Sequence, residues 1–279
     1  MAQVDLHLHT TRSDGTLTPT QMVDLVAERG LTVVAITDHD STDGLEEAIA
    51  AARAHPQLTV LPGVEMSTDV PGGEVHILAY FVDRDDDDFQ QTLVRFRQSR
   101  LERGRKMVEK LEALGVTLSW ERVLEIAGDA SVGRPHVARA MVEAGHVVTT
   151  QEAFDHYLGR NGPAYADREK LTPEEAIELA AANGALPVLA HPIYVENVET
   201  NLPSWKRAGL VGIEVYYRTN DAREIAPMLA VARRHGLIPC GGSDYHANGH
   251  DGEVEPGSVG PPMETFERLA ALKAERDRR

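Results

Sequence analysis

Val4-Asp5-Leu6-His7-Leu8-His9 alternates apolar and polar residues with a period of two, the pattern of a β-strand. Successive strand side chains point to opposite faces, so His7 and His9 share one face. Thr18-Pro19 next predicts a helix, with Thr as N-cap and Pro in the first turn, and Gly30 marks its end. Residues 31–37 (LTVVAIT) form a continuous apolar run, as a parallel strand buried on both faces requires. Strand, helix and buried strand in succession predict an α/β fold.

The alternation continues with a helix over 42–54, a strand over 58–65, a turn at Val70-Pro71-Gly72-Gly73 and a strand over 74–82. Residues 84–165 then read as an all-helical insertion. It has acidic residues at 85–88, a long helix to about residue 114, and shorter helices over 119–127, 135–144 and 151–158. Thr172-Pro173-Glu174-Glu175 is a capping box before a helix that ends near Gly184. Strands follow over 186–191, 211–217 and 237–241, and a last helix begins near Met263. The pattern predicts a largely parallel β/α sheet or barrel from residues 1–83 and 166–279, interrupted by the helical insertion at 84–165.

The chain has 279 residues, with 28 Lys+Arg against 44 Asp+Glu and a formal charge of −16. That charge excludes a broad basic surface for long nucleic acids and disfavours anionic membranes. No apolar run approaches the roughly 18 residues of a membrane span. The strand pattern begins at Gln3, leaving no room for a signal peptide, and one Cys forms no internal disulfide, so the cytoplasm is the expected compartment. Cys240 reads as a small buried hydrophobe. The acidity is uneven: residues 91–165 hold 11 Lys+Arg against 9 Asp+Glu, which leaves −18 for the remainder.

An isolated His-x-His pair is explained as well by hydrogen-bonded histidines as by a metal. Here the pair has counterparts at the ends of the other strands: Ser13-Asp14-Gly15, Thr37-Asp38-His39-Asp40, Gly63-Val64-Glu65, His76, Ala190-His191-Pro192 and Gly242-Ser243-Asp244-Tyr245-His246. In β/α barrels the C-terminal strand ends converge on one face. Six histidines (His7, His9, His39, His76, His191, His246) and three carboxylates (Asp14, Glu65, Asp244) would meet there. Burying so many ionisable groups without cations is costly. Nine candidate ligands exceed the needs of one metal, so two or three ions are expected, with Glu65 as a bridge. Imidazole and carboxylate donors without thiolate suit Mn²⁺, Zn²⁺ or Fe²⁺. Asp40 reads as a helix N-cap, and Asp38 as a partner that orients His39.

Taken in order, Asp-Leu-His-x-His, Ser-Asp-Gly, Thr-Asp-His, Gly-Val-Glu, Ala-His-Pro and Gly-Ser-Asp-x-His resemble the polymerase and histidinol phosphatase (PHP) family over residues 1–83 and 166–279. The resemblance implies a distorted (β/α)7 barrel and a centre of three divalent metal ions, Mn²⁺ ahead of Zn²⁺ or Fe²⁺. It implies His7, His9, Glu65 and Asp244 for the first ion, Glu65, His76 and His191 for the second, and Asp14, His39 and His246 for the third.

Within the insertion, Gly133-Arg134-Pro135-His136-Val137-Ala138, with Arg100 and Arg103 upstream, resembles the branch that hydrolyses nucleoside 3′,5′-bisphosphates or trims short RNA from the 5′ end. That likeness implies Arg134 on the phosphate that is not cleaved, His136 on the scissile one, and Arg100 and Arg103 as further contacts. Surface pairing with neighbours such as Glu102 explains the last two arginines equally well. The expected activity is metal-dependent removal of the 3′-phosphate of a nucleoside bisphosphate. The nucleophile would be a hydroxide held by the metal ligands, and no general acid is identified. A 5′→3′ exoribonuclease on short 5′-phosphorylated oligonucleotides is the alternative, and a metal-dependent C–N amidohydrolase a remoter one. Three divalent ions against three carboxylates would leave the cluster at net +3 in an acidic body. Such a well suits a small nucleotide or short oligonucleotide rather than a long duplex, and calls for no protein partner. Tyr216, Tyr217 and Trp205 read as core residues before base-stacking ones.

Overall fold

The opening alternation forms β1 (Val4–Leu8) and the apolar run forms β2 (Val33–Ile36) in the computed structural model, which describes residues 2–70, 73–128, 130–168, 171–249 and 252–278. Between them lies α1 (Pro19–Glu28), where Thr18 and Gln21 complete a capping box. Next come α2 (Leu45–Ala52), β3 (Thr59–Val70) and β4 (Gly73–Tyr80). Pro71 and Gly72, the centre of the expected turn, lie outside the described residues. With β5 (Leu186–Leu189), β6 (Gly212–Tyr217) and β7 (Ile238–Gly242), the strands make one seven-stranded sheet whose order follows the chain. β1–β2–β3 and β5–β6–β7 pair in parallel, and β4 runs antiparallel to both of its neighbours. β3 outlasts its apolar pattern because the hairpin partner satisfies its backbone: Ser67 pairs with His76 and Thr68 with Val75.

The sheet is nearly closed. Leu8 bridges Tyr245 in parallel, and Asp244 N–H donates to His7 O at 2.9 Å. Gly242 allows this approach of β7 to β1, since a Cβ there would lie 2.5 Å from both His7 N and Asp5 Oδ1. The fold is thus a mixed α/β barrel with seven strands, as expected.

Between β4 and β5 the chain forms α3 (Asp87–Ala113), α4 (Trp120–Ala127), α5 (Arg134–Glu143) and α6 (Thr150–Ala153), the last running into a π-helical turn at Phe154–Leu158. Met107, Leu111, Val137 and Met141 belong to an apolar cluster of this segment's own, whereas Phe89 and Leu93 pack into the barrel's cluster. The first turns of α3 are therefore anchored on the barrel while its later turns build the helical segment.

The remaining helices are α7 (Pro173–Ala182), α8 (Val198–Ala208), α9 (Ala222–His235) and α10 (Met263–Arg276). The sequence reading has no counterpart of α8 or α9. Each contains an internal proline, Pro203 and Pro227, which deletes a helical hydrogen bond and crowds the preceding turn. Burial of Leu202 and Trp205, and of Ile225 and Ala232, outweighs that local cost. Trp205 and Cys240 are core residues, as expected. Among the described residues no helix is long and apolar enough to cross a membrane.

Candidate metal centre

All nine expected side chains meet at one mouth of the barrel, and Glu65 is their hub. Its Oε2 lies 3.2 Å from His7 Nε2, His9 Nε2 and His39 Nδ1. Its Oε1 lies 2.8 Å from His76 Nδ1 and 3.0 Å from His191 Nε2. Asp244 Oδ1 faces the same nitrogens of His7 and His9 at 3.3 and 3.2 Å. Asp14 serves the other side, 3.3 Å from His246 Nε2 and 3.8 Å from His39 Nε2. The ligand atoms gather into three sets: His7, His9, Glu65 and Asp244; His39, Glu65 and His76; and His9, Asp14, His39 and His246. The first set repeats the expected grouping. In the others His39 faces two carboxylates through its two ring nitrogens, so it borders two positions rather than one. The cluster is built for more than one metal ion.

Several ring orientations follow from outer partners. His7 Nδ1 donates to Glu214 Oε1 at 3.1 Å, which turns the Nε2 lone pair into the cluster. The other oxygen of Glu214 accepts the His191 backbone N–H at 2.7 Å. His246 Nδ1 donates to Asp244 O at 2.9 Å, which turns its Nε2 toward Asp14. Glu214 escaped the sequence reading. Its only signal is a charge inside the apolar run Gly212-Ile213-Glu214-Val215 on β6.

Two expected roles are corrected. Asp38 does not orient His39. It accepts from Thr10 N–H at 2.7 Å and from Ser13 Oγ at 2.6 Å, and Ser13 Oγ lies 3.4 Å from His9 Nδ1. The loop after β1 brings His9, not His39, within its reach. Asp40 caps no helix, since the N-cap of α2 is Gly44, without a side-chain cap. Asp40 is fully buried and accepts Arg100 Nε at 2.7 Å and Ser67 N–H at 3.1 Å. Its φ of +49°, with +27° at His191 and +55° at Asp244, places three non-glycine residues of this mouth in the left-handed region. Such strain persists where surrounding contacts fix the chain, and it gathers at functional sites.

The electrostatics suit cations. Burial opposes charge on His7, yet Glu214, Asp244 and Glu65 hold it well above the ordinary histidine value. His9 is raised to about 10 against the same burial, by Asp244 and Glu65. Burial would raise Asp14, but His39 and His246 hold it well below the usual carboxylate range. His9 Nε2, His39 Nδ1 and Asp14 Oδ1 are buried without a directed hydrogen bond, each aimed into the cluster. Orphaned donor atoms in an imidazole and carboxylate set are what divalent Mn, Zn or Fe requires, so the residues fit. Metal must displace protons from His7 and His9, both raised, so affinity is expected to tighten as pH rises. Calorimetric titration in buffers of different ionisation enthalpy should register proton release; none would contradict this field.

A cavity of about 100 Å³ adjoins Asp14, His39 and His76, and four guanidinium groups converge on it: Arg100, Arg103, Arg134 and Arg168. Arg100 and Arg103 are 7% and 3% exposed, which removes the surface-pairing explanation for them. Arg100 holds Asp40 and donates to Ser67 Oγ at 2.6 Å; Arg134 pairs with Glu74 and lies over the Phe154 ring at 5.7 Å. Arg168 was not found by sequence, because Ala166-Asp167-Arg168 carries no motif. It lies 3.5 Å from Asp40, and its Nε and Nη1 are buried without an acceptor. Burial and the neighbouring Arg100 lower it to about 10, and burial with Arg100, Arg168 and Arg134 lowers Arg103. An anion would relieve that repulsion. His136, 2% exposed, accepts Gly133 N–H through Nδ1 at 2.9 Å, and burial holds it below its ordinary value, leaving a neutral ring with a proton on Nε2. Tyr217 is buried and donates to Asp244 Oδ2 at 2.9 Å, so it supports a candidate ligand rather than stacking on a base.

Comparison with known proteins agrees with this geometry. The PHP domain profile matches residues 5–161. The chain is 35% identical to the 3′,5′-nucleoside bisphosphate phosphatase of Chromobacterium violaceum, over 90% of either chain. It is 33% identical to the 5′-3′ exoribonuclease Rnm of Salmonella typhimurium, over 87% of this chain and 84% of that one. A solved structure of an amidohydrolase from Chromobacterium violaceum, with bound sulfate and no metal, superposes with a TM-score of 0.87 at 32% identity, over 97% of this chain and 96% of that one.

Proposed function

The chain belongs to the PHP-domain family and is a hydrolase acting on phosphate esters, and from that premise we propose that it removes the 3′-phosphate of nucleoside 3′,5′-bisphosphates to leave a 5′-nucleotide. The observation that carries this reading is the arginine cavity beside the nine-residue cluster: a site for a second phosphate next to the site of cleavage. The relative of 35% identity acts, by its name, on such bisphosphates.

In this reading the nine clustered side chains hold three divalent ions, Mn²⁺ first among the fits, with Glu65 shared between positions. When bound, such ions supply Lewis acidity to a phosphoryl group and lower the pKa of water. The protein's own residues do the positioning. Arg134, at the start of α5, and Arg168, shortly before α7, clamp the 5′-phosphate with charge-assisted bonds. Arg100 and Arg103 add positive potential from α3, and His136 offers its Nε2 proton to a scissile phosphate oxygen. Residues 84–165 thus act as a substrate-binding cap on a barrel made of 1–83 and 166–279. The buried cavity replaces water with fixed donors, so little reorganisation accompanies the change in charge.

Arg134→Ala is expected to raise KM for adenosine 3′,5′-bisphosphate about 10–100-fold, the loss expected from charged hydrogen bonds, while nearly sparing a simple aryl phosphate. Equal loss on both substrates would refute a role at a remote phosphate. The exoribonuclease reading has support of its own in the 33% identity relative. Faster cleavage of a 5′-phosphorylated trinucleotide than of the bisphosphate would put that reading first.

A further inference from the structure

A groove of about 560 Å³ runs between the β3–β4 hairpin, the start of α7 and the loop that leads from His191 into α8. Tyr194 lines it. Its ring centroid lies 6.0 Å from that of His191, and it meets the Tyr217 ring edge-on, also at 6.0 Å. Tyr217 in turn donates to Asp244, so the exposed ring is braced against the metal cluster. Ile193 and Tyr194 are 63% and 61% exposed, two large side chains side by side at the rim of a polar site. Single exposed apolar residues are ordinary. A braced aromatic ring with an open side, beside a phosphoesterase centre, is suited to stacking a nucleobase.

The rest of the groove fits a neutral polar group. Asn197, Thr200 and Asn201 offer hydrogen bonds, Glu174 adds a carboxylate, and Glu74, which also lines it, is paired with Arg134. These are partners for the hydroxyls of a sugar and the polar edge of a base. Its volume falls in the range of roughly 300–1,000 Å³ typical of small-molecule sites.

We propose that this groove is the subsite for a nucleoside esterified to the far side of the scissile phosphate, with Tyr194 as its base platform. The assignment rests on the function proposed above and gives its short-oligonucleotide alternative a place for the second nucleoside. With a bisphosphate, the oxygen of water bonds to phosphorus, the P–O3′ bond breaks, O3′ takes a proton and inorganic phosphate leaves. With a 5′-phosphorylated dinucleotide the same bonds form and break. The phosphate then departs on the 5′ oxygen of the second nucleoside, giving two 5′-nucleotides. The first nucleotide's 5′-phosphate occupies the arginine cavity in both cases. That cavity meets the cluster at Asp14, His39 and His76, while the groove opens beside His191, so the two nucleosides do not compete.

The test compares kcat/KM for 5′-phosphorylated diadenosine and for adenosine 3′,5′-bisphosphate in the metal-loaded enzyme. Tyr194→Ala is expected to lower the dinucleotide-to-bisphosphate ratio about 10-fold or more, the effect of removing one base-stacking ring. Tyr194→Phe, which keeps the ring, should preserve the wild-type ratio. An unchanged ratio in the alanine variant overturns the assignment, as does a wild-type enzyme that hydrolyses the bisphosphate and not the dinucleotide. Cleavage of the dinucleotide with a Tyr194-dependent KM, in an enzyme inert toward the bisphosphate, would sustain the groove and sink the bisphosphate reading instead.

Discussion

Glu65→Gln should abolish most of the activity, lowering kcat by about 10³-fold or more, because several kcal/mol of charge stabilisation by metal are removed together. Glu65 is 1% exposed and its two oxygens face five imidazoles, at 2.8 to 3.2 Å. The amide keeps the shape and loses the charge, and its NH₂ end directs protons at nitrogens that must themselves be donors to metal. Metal content by elemental analysis should fall in step with kcat, while far-ultraviolet circular dichroism stays that of the parent. A variant with full metal content and near-normal kcat would remove Glu65 from the bridging position. The carboxylate is held well below its usual range, with burial opposing and His39, His7 and His76 favouring the charge, so the native group is an anion at neutral pH.

Asp40→Asn should be the most destabilising of the single substitutions considered, by about 3–5 kcal/mol, the usual cost of breaking a buried ion pair from one side. Asp40 is fully buried, and despite that burial Arg100 and Arg168 lower its carboxyl to about 2. Neutralising it leaves Arg100 and Arg168 facing one another without their buried counter-ion. Thermal unfolding should show the loss as a clear drop in Tm. The double variant Asp40→Asn/Arg100→Met, which removes both partners, is expected to recover part of the loss, and the double-mutant cycle measures the coupling. Simple additivity would mean that the pair is not the source of the effect. Asp40 therefore links barrel and helical segment, because Arg100 lies on α3 and Asp40 follows β2.

The legibility of the site varied with how locally each role was encoded. His7 and His9 were readable because a strand has a fixed period and both fall on one face. Asp244 and His246 were readable because they follow the last apolar run. Glu214 was not, since one charge in a buried strand has no local partner; its meaning comes from His7, 207 positions away. Arg168 was missed for the same reason, as its neighbours Asp40 and Arg100 come from other parts of the chain. Asp38 and Asp40 sit where an N-cap is the commonest local explanation, yet both turn inward to partners that local pattern does not supply.

Periodicity and end residues were sufficient for the α/β class, for eight of the ten described α-helices as separate predicted segments and for the nine-residue cluster, because strand ends in a barrel converge whatever the intervening chain does. α8 and α9 depended on packing, since internal prolines weaken the local signal and buried Leu202, Trp205, Ile225 and Ala232 restore the balance. The reversal of β4 depended on the hairpin, and the arginine cavity on docking α3 and α5 against the barrel mouth. Each of these is a contact between residues far apart in the chain. Its free energy exists only once the fold is closed, so no window of sequence contains it.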